Sequence, residues 1–126
     1  MVLGPDVLPR FVENGLVMRR AKPRDNPDQV RRMLRAFVRG LRYAVDRPGD
    51  AIALIQKGWN LNRETAQVAY EAVLPTYNQS GESSDELIAA AIKRAQQDAK
   101  ITQSSFAQKD FVDWTIIRTV QRELTR

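Results

Sequence analysis

The stretch from Asn26 to Asp46 constrains this chain more than any other. Apolar side chains stand at Val30, Met33, Leu34, Phe37, Val38, Leu41, Ala44 and Val45. At about 100° per residue they fall within an arc of about 140°, the pattern of a helix that turns one face to a core. Asn26 suits the N-cap, Pro27 fits the first turn where no N–H is needed, and Asp28 opposes the helix dipole. Pro48 disfavours helical backbone at the residue before it, so the helix should stop near Asp46.

Four more helices are predicted to share that core, about five in all. One runs from Pro48 to Lys57, with Ile52 and Ile55 inward and Gly58 as its C-terminal cap. Asn62 caps the next, which reaches Leu74 before Pro75 and turns Ala66, Ala69, Tyr70 and Val73 inward. Ser83 with Glu86 matches a capping box ahead of Leu87, Ile88, Ala91, Ile92 and Ala95. The last helix spans about 110–124, with Val112, Ile116 and Val120 on one ridge and Phe111, Ile117 and Leu124 beside it. Polar loops at residues 79–83 and 102–105 separate these elements.

The first 22 residues read differently. Val7–Glu13 and Leu16–Arg19 are β-prone runs on either side of Asn14-Gly15, a dipeptide suited to a tight hairpin turn. Pro9 confines the first run to a sheet edge, and a lone hairpin must pack on something to persist. Lys22-Pro23-Arg24-Asp25 reads as a connector. The expected fold is mainly α, one domain over residues 1–126, with an extended segment at 1–22 and a helical bundle over 26–126. A chain of 126 residues suffices for one core and is short for two.

Cysteine and histidine are both absent. That excludes disulfides, thiolate chemistry, histidine-based triads and the usual zinc sites. The carboxylate pairs Asp85/Glu86 and Asp110/Asp113 are better explained as helix N-terminal residues than as acid/base machinery. No glycine-rich loop precedes a helix, and no cofactor or metal is expected. Trp59, Tyr77 and Trp114 are expected to pack the core rather than line a ligand site. The chain is read as non-enzymatic, with no catalytic residue and no assignable ligand-binding residue.

Charge singles out one surface. Residues 1–50 hold 11 Lys and Arg against 6 Asp and Glu, which accounts for the whole net charge of +5. Arg31, Arg32, Arg35, Arg39 and Arg42 share an arc of about 100° on the first long helix, opposite the apolar stripe. The plainer reading is a solvated helix face that uses arginine, and an anionic partner would also suit it. Nucleic acid is the rival reading, weakened because only Tyr43 stands near the arc to stack on bases. No stretch approaches the ~20 apolar residues of a membrane span, and no secretory signal opens the sequence, so a cytoplasmic location is expected for the chain as written.

From Phe11 to Leu124 the order of segments resembles the C-terminal part of substrate-binding proteins of the nitrate/sulfonate/taurine ABC-transporter group, which includes relatives that bind thiamine-pyrimidine precursors. Phe11-Val12-Glu13-Asn14-Gly15-Leu16-Val17 is similar to that family's return strand. Asn26-Pro27-Asp28-Gln29-Val30 with Leu34 to Leu41 resembles its "NP-x-x-V … A-x-x-R-A" helix. Arg47-Pro48-Gly49-Asp50-Ala51-Ile52 resembles its "NP-E-x-A" helix start, and Asp110-Phe111-Val112-Asp113 its "DLVD" segment. The resemblance implies a fragment of a type II periplasmic-binding-protein-like fold, and a periplasmic setting if the chain belongs to a longer family member. In that family most ligand contacts come from segments before this region, so none is carried over. Apolar surface that a missing lobe would cover should instead be covered by self-association, giving a homodimer.

Overall fold

The computed structural model describes residues 15–101 and 107–125. Within them lie six α-helices: α1 (Lys22–Asp25), α2 (Pro27–Asp46), α3 (Pro48–Trp59), α4 (Arg63–Val73), α5 (Asp85–Asp98) and α6 (Thr115–Leu124). Two 3-10 turns, Leu74–Thr76 and Gln108–Asp110, complete the order. The chain is thus mainly helical, as its periodicity predicts.

The boundaries follow from local chemistry. Pro27 opens α2, and Pro48, which starts α3, has no N–H to prolong it. The Ala44 carbonyl is one that this proline leaves without a helical donor. Tyr70 of α4 supplies one instead, its hydroxyl donating to that oxygen at 2.8 Å. Asn62 caps α4 as predicted, its side-chain oxygen accepting from the Thr65 N–H at 2.8 Å.

Two apolar clusters hang on α2. Toward its C-terminal end, Ala51 and Ile52 of α3 meet Ala66 and Tyr70 of α4, with Ala44, Ile55, Leu61 and Leu74 packed around them. Toward its N-terminal end, α2 packs on α6, burying Val30 and Val38 alongside Ile117 and Val120 of that helix. Gly81 takes a positive φ of 74° and lies against both walls of this second cluster. A Cβ there would stand 3.3 Å from Ile117 and 3.6 Å from Val38. Helix α5 buries Ile88 and meets the Gln108–Asp110 turn, where Gln108 donates to Asp85 at 2.6 Å.

Several expectations need correction. No strand occurs among the described residues, so the sheet of a periplasmic-binding-protein-like fold has no counterpart there. Of the predicted hairpin, Val7–Glu13 and Asn14 lie outside the described residues, and Leu16–Arg19 is not a strand. The expected connector at 22–25 is α1, a single turn that starts at Lys22 with Pro23 in its second position. Gly58 does not cap α3. The helix runs through it, and the left-handed residue is Asn60, at φ 53°. Ser84 rather than Ser83 caps α5, accepting from the Leu87 N–H at 3.3 Å. The last helix starts at Thr115 instead of near Asp110, because Asp110 turns back to accept from the Ala107 N–H and closes a separate turn. Trp59, expected inside, is 72% exposed.

Candidate functional site

The two flanks of α2 have different fates. On one, the guanidinium groups of Arg31 and Arg35 both reach Glu123 in the last turn of α6, Arg31 at 3.5 Å. Arg31 also contacts Asp28 at 3.4 Å, while its Nε is buried without a hydrogen-bond partner. Two of the five arginines of the predicted anion surface therefore serve the α2–α6 contact.

The other three are placed differently. Arg32 and Arg39 are exposed, Arg42 is half-buried, and no ion pair holds any of them among the described residues. The sequence arc is thus split: Arg31 and Arg35 pair against α6, Arg42 stands in line with them half-buried, and Arg32 and Arg39 form an exposed outer ridge. Tyr43 lies on that outer side too, half exposed, donating to Asp50 at 2.6 Å across the α2–α3 junction. That donation pushes the phenol above its ordinary range.

The opposite flank of α2 is apolar and only partly covered by the described residues. Met33 and Phe37, predicted to face the core, are 41% and 42% exposed. Phe37, Gly40, Leu41 and Ala44 form the floor of an open groove of about 300 Å³, and Tyr77, just after the Leu74–Thr76 turn, forms its wall. A Cβ added to Gly40 would meet nothing within 4 Å, so the backbone itself lies bare on the groove floor. The cause is geometric. Helix α6 settles on the arginine side of the buried Val30–Val38 ridge, and α3 and α4 gather at the C-terminal end, leaving the far side of a wide stripe open. Gly40 was not singled out in the sequence, and Tyr77 was weighed there as the lining of a ligand site and assigned to the core instead. An apolar arc of about 140° is broader than one packed neighbour covers, and that width was the available signal.

The carboxylates behave as local caps. Asp113 accepts from the Thr115 N–H at 2.9 Å, and hydrogen bonds from the Thr115 side chain and backbone hold its carboxyl below the usual range. Glu86 is lowered by the Ser84 hydroxyl and its own backbone N–H. Asp85 and Asp110 are engaged by Gln108 and Ala107. No group of three or more acidic, histidine or cysteine side chains that could hold a metal occurs among the described residues. No described helix is long and apolar enough to cross a membrane.

Comparison with protein-family models, with curated proteins and with solved structures returns no match.

Proposed function

We propose that this chain is a non-enzymatic binding module whose working surface is the partly covered flank of α2. The observation that carries this reading is the groove over Phe37, Gly40, Leu41, Ala44 and Tyr77. Exposed apolar surface is unfavourable in water, and covering it with a partner lowers the free energy in proportion to the area buried. The engaged carboxylates and the absence of histidine and cysteine from the sequence point away from acid/base or nucleophilic work.

Descent from a solute-binding protein of the nitrate/sulfonate/taurine group is part of this proposal and rests on the sequence resemblance alone. It accounts for an open flank as the place where further structure once packed.

A photo-crosslinking amino acid at Gly40 tests the reading, since the groove has room for it. In cells that make the protein, position 40 should yield a discrete adduct, and the same probe at exposed Glu71 on α4 should not. Equal labelling at both positions, or none at 40, rejects the α2 flank as the working surface.

A second reading is supported by the exposed outer ridge and by Arg42 beside it. Arg32, Arg39 and Arg42 could neutralise phosphates, and affinity for nucleic acid would then fall steeply with salt. With Arg31 and Arg35 held by Glu123, three cations are available rather than five. Absence of binding at low salt removes this alternative.

A further inference from the structure

We infer that Glu123 is a built-in competitor on the arginine face of α2. Its carboxylate occupies the place of a phosphate between Arg31 and Arg35, and a polyanionic strand engages the full arginine row only by displacing it. This inference rests on the second reading, of the α2 arginines as an anion surface, and adds how that surface is regulated.

Three observations lead to it. One carboxylate receives both guanidinium groups. Arginine holds carboxylate and phosphate through the same N–H donors, so whichever group fills this place excludes the other. The contact is also poorly supported at both ends. Glu123 stands in the last turn of α6, where the helix dipole opposes an acid. Arg31 leaves its Nε buried without a hydrogen-bond partner, and all three side chains are partly exposed, a setting in which ion pairs are weak. Finally, Arg42 follows Arg31 and Arg35 along one line of α2, a row about 16 Å long that several phosphates of a strand can follow. Glu123 takes two of its three members.

Displacement needs no unfolding. Ile117 and Val120, which pack on Val30 and Val38, lie before Glu123 in the helix. Rotation of the Glu123 side chain releases both arginines and leaves that core in place. The coupling is reciprocal: what the carboxylate takes from the anion's affinity, a bound anion takes from the carboxylate's hold on α2.

The test is binding of a short fluorescent single-stranded oligonucleotide to the full chain and its variants across a salt series. Glu123→Gln should tighten binding about tenfold at low salt and steepen the fall of log affinity with log salt by about 1.4, the effect of two further phosphates. Glu123→Asp keeps the charge and shortens the reach by one methylene. It should tighten binding as well, whereas net charge alone predicts no change. Arg35→Gln should be nearly silent in the native chain and should remove much of the gain in the Glu123→Gln background. Arg39→Gln should weaken binding equally in both backgrounds.

Binding that Glu123→Gln and Glu123→Asp leave unchanged overturns the inference and leaves the anion surface standing. So does an Arg35→Gln loss of the same size in both backgrounds, which would make Glu123 a source of repulsion at a distance. Absence of binding at low salt by both the native chain and Glu123→Gln overturns the inference together with the reading beneath it.

Discussion

The Tyr70 hydroxyl donates to the Ala44 carbonyl at 2.8 Å, closing a vacancy that Pro48 makes at the end of α2. A helical carbonyl ordinarily accepts from the N–H four residues on, and here that residue is a proline. The bond therefore satisfies an acceptor and ties α4 to α2. Tyr70→Phe keeps the buried ring and removes the donor. It should lower stability by about 1–2 kcal/mol in urea unfolding, because an acceptor is left unmade beside the core. An unchanged midpoint would show that water replaces the hydroxyl without cost.

Glu123 is the acid that fixes the arginine flank of α2 to α6. The partners are partly exposed, so the exposed-pair scale applies. Glu123→Gln should cost about 0.5–1 kcal/mol at low ionic strength, and the loss should shrink in 1 M salt. A salt-independent loss would assign the effect to packing instead.

Two glycines should respond oppositely to the same change. Gly81 has φ 74° and faces Ile117, so Gly81→Ala should destabilise by about 1–2 kcal/mol. Gly40 lies in helical backbone with open space beside it, so Gly40→Ala should stabilise by about 0.5–1 kcal/mol. Thermal unfolding of the two variants side by side checks both signs.

Asp113 links the start of α6 to pH. Its carboxyl is held low by Thr115 in the folded chain, so folding favours the ionised form. The stability it contributes is present above the ordinary aspartate pKa of about 3.9 and is lost as pH falls through the lower folded value. Asp113 is exposed, so Asp113→Ala should cost only a few tenths of a kcal/mol (about 0.3–0.5) at pH 6 and less at pH 3. Asp113→Asn, which keeps an accepting oxygen, should retain most of the cap while flattening the acid limb. Equal losses for Asp113→Ala at the two pH values would contradict the assignment.

Helix ends were legible where one residue alone could serve. Pro27 and Pro48 bracket α2, and Asn62 stands by itself before α4. They were misread where neighbours competed. Ser83 and Ser84 can each cap, and the choice falls to whichever position seats Ile88 in the core. Gly58 and Asn60 both tolerate left-handed backbone, and α3 continues to the later one. The amphipathic character of α2 could be read from periodicity, including the arginine arc. Its partner Glu123 could not, being 88 residues from Arg35. The exposure of Phe37 was hidden for the same reason: a stripe tells which side of a helix is oily, and only packing tells how much of it is covered.

The attachment of α2 to α6 spans most of the described chain, whereas its attachment to α3 and α4 is made between neighbours. Closing a long loop costs entropy before any contact compensates it, and short loops close first. The Ala51–Tyr70 cluster should therefore assemble early, on a scaffold whose other end is still bare. Until the final helix docks, Val30 and Val38 stay wet, and the valines at the far end of α2 wait on the last residues to arrive.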